Sequence, residues 1–193
     1  MKHEVTSYHT KRAIADALKT VMRQKPFSKI TVTEIIQICG INRKTFYYHF
    51  EDIFALLRWT FDEEAIEVVK HFDLLTHYED AIRFVMNYVS ENDYLISCAR
   101  DSIGRSEMMR FFYADFLGVV TSVVSAAEQK LNTHFDPEFR NLAAQFYTEA
   151  LAGMLLRSVT QNNRRKTEQD IKNLTTIIDL ALQSMELYAL KRQ

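Results

Sequence analysis

Residues 42 to 49, Asn-Arg-Lys-Thr-Phe-Tyr-Tyr-His, place two cations, a threonine and a tyrosine on the outer side of a short helix. Phe46 and Phe50, four residues apart, turn to a core, which leaves Arg43, Lys44, Thr45 and Tyr48 facing solvent. These groups suit recognition. A guanidinium forms paired hydrogen bonds to guanine, the Thr45 methyl or hydroxyl meets a base edge, and Tyr or Thr hydroxyls donate to phosphate. The chain has no G-x-S-x-G, no glycine-rich phosphate loop and no HExxH, so catalysis finds no support and an enzyme is not expected.

Such a helix must be held at a fixed angle, and the preceding residues supply the means. Thr31 or Thr33 can serve as an N-cap, Ile35 and Ile38 share a face, Gly40 can take the positive φ that ends a helix, and Asn42 can cap the next one. Two short helices joined by a glycine turn, the second basic, make a helix-turn-helix with the shape of a major-groove reader. Before it, Ile14, Ala17, Leu18 and Val21 predict a helix over 10–24 that Pro26 ends. After it, Glu51-Asp52 cap a long helix from Ile53 to about Phe72. Its early apolar residues, Ile53, Phe54, Leu56 and Leu57, close a small N-terminal core, while Trp59, Phe61, Ile66 and Val69 belong to the body.

With four Gly and two Pro in 193 residues, the chain lacks the punctuation of a β-rich fold, and 47% hydrophobic content suffices for a core. Further helices are expected at about 78–91, 93–103, 106–132, 138–161 and 168–190, with a break at Gln161-Asn162-Asn163. The fold expected is all-α, with about nine helices: a helix-turn-helix domain over 1–52 and a helical regulatory and dimerisation domain over 53–193. The net charge of −1 hides an asymmetry, because residues 1–50 carry nine Lys/Arg against three acids and the remainder fifteen against twenty-two. A polyanion-binding module fused to an acidic body follows. Cys39 and Cys98, without a CxxC, read as reduced thiols. Uninterrupted apolar runs fall far short of the roughly 20 residues of a membrane span, so no membrane anchor and a cytoplasmic location are expected.

Over residues 8–60 the chain resembles the TetR family of bacterial transcriptional regulators, most specifically in Thr-Phe-Tyr-Tyr-His-Phe at 45–50 after Gly40-Ile41. The resemblance implies a dimer bound to double-stranded DNA. Arg43, Lys44 and Thr45 would then reach bases and nearby phosphates, and Asn42, Tyr48 and His49 would hold the DNA backbone with help from Thr33. Two positions depart from the family pattern. Ile36 stands where alanine is usual, and Ile53 stands where a lysine often holds a phosphate, a contact that Lys2, Lys11 or Arg12 would have to replace. The wording of the motif is similar to a subgroup that includes regulators of dihydroxyacetone kinase operons, some of them activators.

In the body, the wide apolar stripe of 139–155 and the narrower one from Ile171 to Met185 suggest half of a four-helix dimer interface built on Phe146, Tyr147, Ala150, Met154, Leu174, Ile178 and Leu182. Trp59, Tyr88, Met108, Phe112 and Phe116 are candidates to line a pocket for an apolar effector, although such side chains fill ordinary cores equally well. No metal site is expected, since neither His71 with His77 nor His134 with Asp136 has ligand spacing, and no cofactor is implied. Arg164-Arg165-Lys166 reads as a basic run in a connecting loop. The function expected is a dimeric regulator that binds a palindromic operator and responds to an effector in its C-terminal domain. The alternative is a DNA-bound adaptor whose body docks a protein.

Overall fold

The computed structural model of the chain describes residues 2–158 and 164–190, and among these every regular element is helical. In chain order they are α1 (Lys2–Met22), a 3-10 turn (Phe27–Lys29), α2 (Val32–Cys39), α3 (Arg43–His49), α4 (Ile53–Phe61), a π-helical turn (Asp62–Ile66), α5 (Glu67–Lys70), α6 (Tyr78–Glu91), α7 (Asp93–Ile103), α8 (Arg105–Lys130), α9 (Pro137–Ser158) and α10 (Arg164–Leu190). The single helix expected from Ile53 is thus traced as far as Lys70, with the π turn inside it. Counted so, the described residues hold nine helices.

The chain divides into two compact units. One comprises the residues up to Glu64 together with Asn92–Met108, the other Ala65–Glu91 and the chain from Met109 onward. The first therefore extends past the boundary expected at 52/53, for a physical reason: α4 and α7 both pack on α1, and α7 also meets the 3-10 turn. Its core is built from Ile14, Leu18 and Val21 of α1, Ile35, Phe46 and Phe50, Leu56, Leu57 and Phe61 of α4, and Leu95 and Ile96 of α7. Polar ties reinforce it. Lys19 bonds Glu64 and Asp16, the Ser28 amide donates to Ser102 Oγ at 3.2 Å, and Arg23 lies 4.3 Å above the Tyr94 ring.

Two expected core positions turn outward. Ile38 is 51% exposed, because Val32, Ile36 and Cys39 flank the buried Ile35 and define the inner side of α2 without it. Phe54 is also exposed, resting edge-on against Phe27 at 5.1 Å. Both cysteines are free and half-buried, each Sγ facing a backbone carbonyl, and burial pushes both thiols up.

In the second unit, Val120 and Val124 of α8 cluster with Phe135 and Ala144, packed by Leu117, Tyr147, Leu151 and Met185. Glu128 is buried there but satisfied. It accepts from the Phe135 amide at 2.8 Å and from Arg140 at 3.3 Å, fixing the corner between α8 and α9. Between α6 and α10, the Tyr78 hydroxyl donates to Asp179, which pushes the phenol up to about 12, and Arg83 bonds both oxygens of Glu168. Arg164-Arg165-Lys166 opens α10 rather than lying in a loop, while the Gln161-Asn162-Asn163 break falls outside the described residues.

By length and composition α8 is apolar enough to cross a membrane, which the short uninterrupted runs had not suggested. A core helix has the same composition. Met108, Phe112, Val120, Val124 and Ala127 are buried within the protein, as is the ionisable Glu128.

Candidate nucleic-acid interface

The geometry of α3 is set by three local devices. At the start of α2, Thr31 and Glu34 form a reciprocal capping box: the Glu34 amide donates to Thr31 Oγ1, and the Thr31 amide and hydroxyl donate to Glu34 Oε2. Lys25, paired with the same carboxylate, and these Thr31 bonds hold Glu34 below the usual carboxylate range. At the end of α2, Gly40 takes φ 67°, and its amide and that of Ile41 donate to the Ile36 carbonyl. Asn42 then caps α3, accepting from the Thr45 amide at 2.8 Å and from the Thr45 hydroxyl at 3.1 Å. Phe46 and Phe50 bury the inner side of α3, so the remaining residues are turned outward.

The structure brings all seven expected contact residues into the first unit. Thr33, Asn42, Arg43 and Lys44 are exposed, Thr45 and His49 are half-buried, and Tyr48 is 72% exposed. Two roles narrow. The carbonyl oxygen of Asn42 and the hydroxyl hydrogen of Thr45 are spent on the cap, which leaves the Asn42 amide group and the Thr45 methyl free to face a ligand. His49 is held below its ordinary value first by burial and then by the Lys11 charge, so near neutral pH it presents an uncharged imidazole.

Tyr47 is 48% exposed and lies under Arg43, whose guanidinium sits 5.6 Å from the ring and donates to the hydroxyl at 3.4 Å. The spacing of Arg43 and Tyr47, one helical turn apart, was the available signal.

The electrostatics of α3 are unfavourable to its own folding. Its first turn holds Arg43 and Lys44 and no acid, at the end where the peptide dipoles present positive charge. Each cation there costs about 0.3–1 kcal/mol relative to a neutral residue. A ligand carrying negative charge reverses that sign, and duplex DNA carries one about every 1.7 Å. This is the arrangement of a polyanion-binding helix.

Residues 14–58, which span α1 to α4, match the model of the bacterial regulatory proteins of the tetR family. Over that stretch the chain is similar to the tetR family. The helix-turn-helix is the part of the chain that the family match covers. The chain is also 21% identical over 179 residues to the HTH-type dhaKLM operon transcriptional activator DhaS of Lactococcus lactis subsp. lactis (strain IL1403), covering 93% of this chain and 92% of that protein. A solved structure of the dihydroxyacetone kinase operon activator DhaS superposes with a TM-score of 0.72 at 20% identity, covering 90% of this chain and 96% of that one. At that identity the superposition shows a shared fold.

The other expected sites fare differently. Of the candidate pocket residues, Trp59 and Met108 belong to the first unit, and Tyr88, Phe112 and Phe116 to the second. Trp59 is committed to packing against Tyr8, Phe50 and Lys11, and Met108 is fully buried. Phe112 and Phe116 stack on each other at 6.0 Å.

Of the expected dimer residues, Leu174 is only 7% exposed and Tyr147 packs on the core of the second unit, so both face inward. Met154, Ile178 and Leu182 are half-buried. Phe146, 65% exposed, and Ala150 do face out, and Phe139 and Leu142 on α9 and Ile177, Leu180 and Leu187 on α10 are exposed as well. The stack of Phe139 on Tyr188 brings the start of α9 against the end of α10, as in an antiparallel pair. Sequence periodicity found the inner stripe of α10 because that stripe is the more continuous; the outer one, at 177, 180 and 187, is interrupted by Ser184.

Proposed function

We propose that this protein acts in the cytoplasm as a homodimeric transcriptional regulator that binds a palindromic operator, with α3 of each copy in the major groove. Arg43, Lys44 and the Thr45 methyl meet bases and adjacent phosphates. Asn42, Tyr48, His49 and Thr33 hold the backbone. The observation that carries this reading is the cationic first turn of α3, exposed and without an acid to balance it, in a domain similar to the tetR family. Dimerisation through the outer faces of α9 and α10 would set the two recognition helices about 34 Å apart, as half-sites one helical turn apart require.

The likeness to activators of dihydroxyacetone kinase operons supports a positive effect on transcription of a comparable operon. An effector in the second unit, near Tyr88, Phe112 and Phe116, would act by preferring one spacing of the recognition helices, changing DNA affinity by its differential affinity for the two conformers. A second reading rests on the exposed apolar side chains of α9 and α10, such as Phe146 and Leu180: the body docks a protein that reports the signal.

Selection of bound fragments from genomic DNA, followed by titration at several salt concentrations, tests the core of the proposal. A two-fold symmetric site and a steep loss of affinity with salt are expected, at a slope of about −0.9 per phosphate neutralised. Enrichment of no sequence would refute operator recognition. Adding dihydroxyacetone, and separately a candidate partner protein, to the bound complex separates the two effector readings.

A further inference from the structure

Lys11 stands at the end of the reading helix without being part of it. Its ammonium lies 5.7 Å from the centroid of the Trp59 ring and 6.0 Å from that of Phe50, and it is the charge that, after burial, lowers His49. Three other cations of α1 and the following turn are paired: Lys19 bonds Glu64 and Asp16, Lys25 bonds Glu34, and Arg23 lies over Tyr94. Lys11 pairs with no carboxylate among the described residues, although it is only half-buried. Meanwhile residue 53, which opens α4 beside α3, offers an alkyl side chain and no donor.

Two aromatic faces restrict a side chain that would otherwise sample many rotamers, and they leave its charge uncancelled. A cation so placed next to His49 has the chemistry to meet an anion approaching the C-terminal end of α3. We propose that Lys11 is a DNA-phosphate contact, positioned by Trp59 and Phe50, that does from α1 what position 53 cannot do from α4. This rests on the DNA-binding reading above and extends its contact surface from the helix-turn-helix to the first helix.

Substitution at Lys11 gives a direct test on the full-length protein with mixed-sequence duplex DNA, since phosphate contacts do not depend on sequence. In Lys11→Met the alkyl stem still covers the rings but the charge is gone, and the salt slope should shrink by about 0.9 while the melting temperature holds. Lys11→Arg should restore the slope. Lys44→Ala serves as the control for the parent reading. If Lys44→Ala reduces the slope and Lys11→Met does not, the Lys11 contact is overturned while DNA recognition by α3 stands. A lower melting temperature in Lys11→Met with an unchanged slope likewise overturns it, leaving Lys11 as a purely structural cation. If the wild-type protein shows no salt-dependent binding, both ideas fall together.

Discussion

The two units solve the burial problem in opposite ways. In the first, α1 to α4 and α7 close a core around Ile14, Leu18, Phe46 and Leu56, and most of what remains outside is polar or cationic. In the second, the core around Val120, Val124 and Phe135 closes as well, yet Leu142, Phe146, Ile177, Leu180 and Leu187 stay exposed on α9 and α10. An apolar face left over after the core is complete marks an interaction surface. The first unit also exposes apolar side chains, Ile38 and Phe54 among them, but it pairs them with an exposed cationic helix, whereas the second unit's exposed apolar residues recur along α9 and α10.

Substitutions that exchange these roles should break the comparison, and the largest effect belongs in the first core. Phe46→Ala removes a ring with no exposure and is expected to cost about 3–5 kcal/mol, measurable by denaturant unfolding. Next is the contrast within α10. Leu174→Ala should lower unfolding stability by about 2–5 kcal/mol, whereas Leu180→Glu should leave the fold intact and shift sedimentation from dimer to monomer. If Leu180→Glu sediments as the wild type does, the exposed face serves something other than dimerisation.

Smaller effects sharpen the picture of the reading helix. Gly40→Ala places a Cβ on a left-handed residue and should cost about 1–2 kcal/mol, seen as a lowered melting temperature, although no neighbour lies within 4 Å of that Cβ. The pH dependence of Glu34 comes last. Its carboxyl is lowered by Lys25 and Thr31, so the stability it supplies is present above the unfolded carboxyl value of about 4.3 and is lost as pH falls through the lower folded value. The melting temperature of Glu34→Gln should therefore trail the wild type at neutral pH and converge with it in acid. A gap that stays constant with pH would assign the capping box no ionic part.

What could be read directly from the chain was whatever depends on neighbours a few residues away. The Thr31 cap, the Gly40 stop, the Asn42 and Asp52 caps and the spans of α6 and α7 are local, because their hydrogen bonds close within one helical turn. The outward set of α3 followed from the pairing of Phe46 with Phe50, and the family motif lies in that same stretch. Tertiary packing decided the rest. Ile38 and Ile35 have the same chemistry, and only the approach of α1 and α3 chose which of them is buried. The same holds for α10, where two apolar stripes compete and the choice of Leu174 over Ile177 as the inner residue depends on the helices packed against it. Lys11 is the clearest case: nothing near it in sequence shows that its charge sits over Trp59 and Phe50, since those rings arrive from α4 and the end of α3, and only folding puts them together.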